Sequence, residues 1–468
     1  MSEPQWEETL EPRIRDQVRY IWNEFRKDGA SAKAGEARGS DGGIDVGVAT
    51  TGDGVAFMYA EGQILVREDY LERVQEILDE PRLTVREILN EPEGNAPIEP
   101  LTAGIVVLHL SSRPDSPRLT VLEALNRIDR VLGPGCATPN HVITVAGDAG
   151  PCPATEPEVV YDGIEPYPSV FPGDAGAGIS IYVADTGLLC YEGDELDPPN
   201  PDPAHPDQVV TNGGVPNSWL AGVKGTLDRL QDMSGGQAIQ PYEGHGTFVA
   251  GAVRSTAPAA DIYVANVFKV AGSTLETHLA RHLTAALRHG YDLFHLSITA
   301  PTRKDLPLIS FEGWLRRLRQ HKGVACVVAA GNSSSRLPTW PAAFPEVVSV
   351  GALAADWRSR ARFSNYGPWV DVYAPGRDLV NAFAIGTYRC YTAPYTDDVR
   401  KFYGMAKWSG TSFSTPIVTG LIAARMSRTG ENGQEAADAM LAEARSRAIP
   451  GVGAILLPYY DDHAWPVR

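Results

Sequence analysis

At 468 residues the chain is long enough for two or three domains. Its 43% hydrophobic and 21% charged content excludes a disordered or fibrous protein. A net charge of -17 argues against nucleic acid or an anionic membrane as a non-specific partner, and the absence of 18 consecutive apolar residues argues against a transmembrane helix.

The N-terminus, MSEPQWEETLEPRIRDQVRYIWNEF, has no basic start followed by an apolar core. The expectation is therefore no secretory signal and a cytoplasmic setting. Within it, Ile14, Val18, Ile21, Trp22 and Phe25 share one helical face over 10–28, with Gly29 as a stop. Residues 30–54, rich in Gly, Ala, Ser and Asp, read as a flexible connection. Then strands and helices alternate: strand 55–60, helix 67–79, strand 105–110, helix 120–133, strand 142–147. That order predicts a small α/β or α+β domain over 1–150. Frequent prolines make 148–175 an extended linker, assigned as 151–175.

From about 178 the apolar runs are continuous: ISIYVAD (179–185), IYVANVF (262–268), LFHLSI (293–298), VACVVAA (324–330) and VVSVGAL (347–353). Such runs fit strands covered on both faces. Leu275, Leu279, Leu283 and Leu287 mark a helix between them, and 306–320 another. The prediction is an α/β domain over 176–468, a doubly wound parallel sheet with its site at the carboxyl ends of the strands.

Five scattered cysteines (Cys136, Cys152, Cys190, Cys326, Cys390) suggest neither a disulfide framework nor zinc. The segment 191–207, with Glu192, Asp194, Glu195, Asp197 and Asp202, fits no calcium template and reads as a solvated acidic insertion. Neither metal nor cofactor is expected.

The stretch WSGTSFSTPIVTG (408–420) is by itself a helix start rich in hydroxyls, with Pro416 in the first turn and Ile417, Val418, Leu421 and Ile422 on one face. Three other stretches change its meaning. The first strand ends at Asp185 in ADTG, His245 sits between glycines in EGHGTFVAGAV, and a buried strand ends at Gly331 and Asn332 in VVAAGNSSS. Acyl transfer needs a hydroxyl nucleophile, an imidazole base, a carboxylate to orient it and an oxyanion donor. All four occur here, in the order Asp185, His245, Asn332, Ser412.

These motifs resemble those of the subtilisin-like serine proteases, the subtilases. ADTG matches the family's D-S/T-G, HGTFVAG matches H-G-T-x-V-A-G, GTSFSTP matches G-T-S-x-S/A-x-P, and AAGN its oxyanion-asparagine motif. FSNYGPWVDVYAPG (363–376) resembles the stretch after the family's sixth strand, so the resemblance covers roughly 175–450. It implies a subtilisin-like fold and a serine endopeptidase acting on peptides or proteins. Ser412 would be the nucleophile, His245 the base and acid, Asp185 its orienting carboxylate, and Asn332 with the Ser412 N–H the oxyanion hole. Ser297, Ile298, Thr299, Ala329, Ala330 and Gly331 would contact substrate. Thr411, Ser414 and Thr415 take turn and capping roles.

The family's S-L-G-G strand reads here SITA, so Ile298, Thr299 and Ala300 should narrow the cleft. The order of elements in 1–150 is reminiscent of an inhibitory propeptide, which implies intramolecular inhibition by the N-terminal domain. A substrate-recruiting domain, a catalytically weak binding protein and a transacylase or ligase are the alternatives.

Overall fold

The computed structural model of the chain describes residues 12–30, 44–52, 54–78, 83–85, 104–110, 119–145, 154–161, 165–171, 173–197, 207–214, 217–231, 238–391 and 395–458. In chain order the elements begin with α1 (Pro12–Ala30), β1 (Val46–Thr51), β2 (Gly54–Arg67), α2 (Leu71–Leu78), β3 (Leu83–Val85), β4 (Ile105–Leu110), α3 (Val121–Leu132) and β5 (Ala137–Thr144). There follow β6 (Glu158–Val159), β7 (Ser180–Asp185), β8 (Glu195–Leu196), β9 (Gln208–Val210), β10 (Lys224–Thr226), β11 (Ala238–Ile239), α4 (His245–Thr256) and β12 (Asp261–Asn266). The rest are β13 (Ser273–Leu275), α5 (Glu276–Leu287), β14 (Leu293–Leu296), α6 (Ile309–Leu318), β15 (Ala325–Ala329), β16 (Val348–Leu353), β17 (Val372–Pro375), β18 (Leu379–Arg389), β19 (Val399–Trp408), α7 (Thr411–Thr429) and α8 (Gly433–Ser446).

The contacts divide the chain into two units. One comprises residues 1–143, 273–288 and 300–320; the other comprises 144–272, 289–299 and 321–468. This grouping runs differently from a division into 1–150, 151–175 and 176–468, because 273–288 and 300–320 group with the N-terminal residues.

In the first unit, β13, β5, β2, β4 and β3 lie side by side, and β1 pairs antiparallel with β2. A strand therefore replaces the end of the expected flexible connection, and α1 continues past Gly29 to Ala30. Thr120 caps α3 in a reciprocal box with Glu123. Its Val121, Leu125 and Ile128 pack with Ile64, Val66 and Val74, and Leu65, Ile105 and Val107 pack with Ile309 of α6. The polar contacts are also dense. His141 Nδ1 meets Glu276 Oε2 at 3.0 Å with both side chains buried, Arg303 and Lys304 pair with Asp129 at 2.9 and 2.6 Å, and Arg67 pairs with Glu312 at 2.7 Å.

The second unit carries a nine-stranded sheet in the order β17-β16-β15-β14-β7-β12-β10-β9-β8. It is parallel from β17 to β10 and antiparallel beyond. Every residue of β14, β15, β16 and β17 is buried, which is why their sequences lack alternation. β7 lies between β12 and β14, so the chain order reverses beside its carboxyl end, where open α/β sheets place their sites. A second sheet, β11-β18-β19-β6, is built around a long antiparallel hairpin. Its edge strand β6 and the bridge from Tyr167 to Val380 fall within the stretch read as linker.

Among the described residues, Cys136, Cys190, Cys326 and Cys390 are unpaired, and Cys152 lies outside the described residues. No helix among them is long and apolar enough to cross a membrane. Among the described residues, no cluster of three or more His, Cys, Asp or Glu could hold a metal ion; Asp202 lies outside them.

Candidate active site

Each predicted residue sits where a strand ends or a helix begins. Asp185 is the last residue of β7 and His245 the first of α4. Asn332 follows β15 by three positions, and Ser412 is the second residue of α7. Asp185 and His245 are fully buried, with His245 Nδ1 at 2.7 Å from Asp185 Oδ1. The Thr186 N–H also donates to Asp185 Oδ1, at 2.8 Å. The His245 ring packs against Trp408 and Phe413.

The glycines flanking His245 are required by space and conformation. Gly244 caps α4 at φ 77, in the left-handed region. A Cβ on Gly246 would lie 2.4 Å from the Gly187 carbonyl oxygen.

The serine stretch departs from its sequence reading in two ways. The cap of α7 is Gly410, with no side-chain capping bond. Thr411 does not cap; its hydroxyl and N–H both donate to Asn332 Oδ1, at 3.0 and 2.8 Å, and its hydroxyl accepts the Gly331 N–H. The Asn332 amide is thereby oriented with its oxygen toward α7, which leaves Nδ2 as the donor end. Thr415 donates back to the Thr411 carbonyl, and Ser414 Oγ is buried without a partner among the described residues. Pro416 is the sixth helical residue, not part of the first turn. It deprives the Ser412 carbonyl of its helical donor, and the Ser297 hydroxyl supplies one instead, at 2.7 Å. Behind Ser297, at 2.8 Å, lies His295, a buried imidazole that sequence reasoning missed.

Of the predicted substrate contacts, Ser297 thus supports α7 from behind, and Ile298 is buried. Thr299 exchanges both backbone hydrogen bonds with Thr144, at 3.2 and 3.1 Å. The Val145 N–H donates to the Gly272 carbonyl at 3.0 Å. The Ser412 hydroxyl donates to the Val145 carbonyl at 3.2 Å. His245 Nε2, the expected base, is buried and has no hydrogen-bond partner among the described residues. Ala329 and Ala330 are buried. The Ala330 carbonyl accepts from Thr339 Oγ1 and Asn365 Nδ2, which shape the turn at Gly331 (φ 101).

Residues 176–452 match the Subtilase family. The chain belongs to that family. Over 260 residues it is 27% identical to Subtilisin Savinase of Lederbergia lenta, covering 54% of this chain and 77% of that one. It is equally similar to M-protease of Shouchella clausii, of which it spans about half, 54%. Fervidolysin of Fervidobacterium pennivorans, described as a keratinolytic enzyme related to subtilisin, has the same fold. The two are 17% identical at a TM-score of 0.50, over 85% of this chain and 60% of that one. The subtilase fold of this chain is mixed α/β with a mostly parallel sheet. Its motifs announced the four predicted positions; Val145, Thr299's partner Thr144, and His295 carry no motif and are placed by folding alone.

Proposed function

We propose that this subtilase is a serine endopeptidase. The observation that carries the reading is the buried Asp185–His245 pair, 2.7 Å apart, in a fold that brings Ser412 to the amino end of α7. In the proposed reaction Ser412 Oγ attacks a peptide carbonyl carbon, and its proton passes to His245 Nε2. Asp185 holds the ring through Nδ1 and stabilises the imidazolium. The oxyanion is received by Asn332 Nδ2 and the Ser412 N–H, where the α7 terminus favours negative charge. Collapse breaks the C–N bond, and His245 gives its proton to the leaving amine. Water, deprotonated by His245, then releases the acid and restores Ser412.

The N-terminal region is, in this reading, an intramolecular inhibitor. Thr144 and Val145 lie along Thr299 and Gly272 as an added antiparallel strand, the way an extended peptide would bind. The Val145 carbonyl engages the Ser412 hydroxyl, which is therefore not directed at His245. Self-processing would then cut just after Val145, rather than deeper in the proline-rich stretch.

The test is intact mass after a fluorophosphonate probe. Wild type should gain one adduct and Ser412→Ala none. An unlabelled wild type after long incubation, with the protein folded, would sink the peptidase reading. Asn332→Ala should lower kcat by about 10²–10³, a magnitude taken from subtilisin's own oxyanion asparagine.

A further inference from the structure

Asp228, two residues beyond β10, is fully buried and belongs to none of the motifs. No cation among the described residues pairs with it. Burying such a carboxylate is costly unless donors surround it. Three do: its Oδ2 accepts the Thr186 hydroxyl at 3.0 Å and the Gly244 N–H at 2.9 Å, and its Oδ1 accepts the Leu230 N–H at 3.0 Å. Thr186 Oγ1 in turn accepts the Gly246 N–H at 3.1 Å. The N–H groups of the two glycines flanking His245 therefore end on one carboxylate, directly from Gly244 and through Thr186 from Gly246. Thr186 also binds Asp185 through its own N–H. A single side chain so ties the backbone of the base to the backbone of its carboxylate partner.

Resting on the peptidase reading above, we propose that Asp228 is a positioning residue for the reaction, holding His245 in line with Asp185 through Thr186 and the Gly244 N–H. All three groups facing its oxygens donate to it, which favours the ionised form; protonation sets an O–H among groups that are themselves donors. Burial pushes the carboxyl up to about 7, against the hydrogen bonds from Gly244, Leu230 and Thr186 and with a further contribution from Asp185. Besides Asp185, the titratable group that faces it is Tyr191, which also interacts with Asp194 and Glu243; His245 is held by Asp185. A buried carboxylate that titrates near neutrality costs stability, which is the pattern expected where a site is built for function.

The experiment is the rate of fluorophosphonate labelling of Ser412 in the full chain, measured from pH 5 to 9. Asp228→Asn keeps the shape but turns an N–H₂ toward a donor. It should slow labelling about 10- to 100-fold at pH 8, the scale of a misplaced base. The acid side of its pH profile should depend on one proton fewer than that of wild type. A folded Asp228→Asn that labels at the wild-type rate with the wild-type profile overturns the proposal. If that variant does not fold, Thr186→Val and Thr186→Ser decide. Slowing in the valine variant that the serine variant reverses supports the proposal, and wild-type labelling in folded Thr186→Val overturns it. A wild type that never labels while folded overturns the peptidase reading, and this inference with it.

Discussion

His295 and Asp228 are fully buried titratable side chains whose pKa values burial moves in ways that oppose each other in stability. The desolvation of His295, helped by the neighbouring His245, lowers it from 6.5 to about 3, while Asp228 rises from 3.8 to about 7. Between pH 4 and 6.5 the unfolded chain protonates the histidine and the native one does not. That contribution to stability is present above 6.5 and lost as the pH falls toward 3. For the aspartate the native state holds the extra proton, so its contribution is present below 3.8 and lost as pH rises through 7. Each is worth about 1.4 kcal/mol per pH unit in the window, with opposite sign, so wild type should show near cancellation. Urea unfolding of His295→Gln from pH 4.5 to 6 should lose stability with rising pH more steeply than wild type, by about 1.4 kcal/mol per unit. Asp228→Asn should diverge by the same amount the other way. Parallel curves for all three proteins would sink this assignment. Neither residue was legible in the sequence. Asp185, His245, Asn332 and Ser412 were, because local demands mark them: Gly246 and Gly331 sit where a Cβ would strike a neighbour. Asp228 and His295 have no such local mark; His295 is placed by the register of β14 against β7, and Asp228 by the turn that follows β10.

The elements show the same division. The parallel strands were legible because complete burial leaves continuous apolar runs, as in Ala325–Ala329 and Val348–Leu353. The hairpin of β18 and β19 was not anticipated, since its pairing joins residues far apart, such as Leu379 with Trp408, and exposed Ile385 and Tyr403 sit opposite each other. α7 was read correctly as a helix but misread in its first turns, because Pro416 looks like a first-turn residue until its register is fixed. The consequence is specific. Ser297 substitutes for the N–H that Pro416 lacks, so Ser297→Ala should leave the Ser412 carbonyl without a donor, at about 1–3 kcal/mol. Pro416→Ala returns a helical N–H to that carbonyl. The loss from Ser297→Ala should therefore shrink by about 1 kcal/mol or more in the Pro416→Ala background, a coupling that a double-mutant cycle in urea reads directly. Additive effects would mean the two residues do not serve the same carbonyl.

Across the whole molecule, the chain passes between the two contact units at 143/144, 272/273, 288/289, 299/300 and 320/321. The N-terminal residues therefore complete their unit only after residue 320 has been made, a non-local arrangement that alternation along the sequence could not reveal. Such interleaving gives Thr144 and Val145 a fixed place in the second unit, along Thr299 and Gly272. If that two-residue strand obstructs the site, its occupancy depends on few bonds and should respond to losing one. Val145→Pro removes the N–H donated to Gly272 while leaving the carbonyl that faces Ser412; the extended geometry that proline imposes on Thr144 is the one it already has. One hydrogen bond is worth about 0.5–1.5 kcal/mol, so labelling of Ser412 by a fluorophosphonate should accelerate about 2- to 10-fold. Val145→Ala keeps the N–H and should label like wild type. Equal rates in all three proteins would mean that this strand does not limit access to Ser412, and the inhibitory role would then have to rest on some other part of the chain. A faster Val145→Pro beside an unchanged Val145→Ala would tie the restraint to a single backbone bond, because the side chain would have been excluded by the alanine.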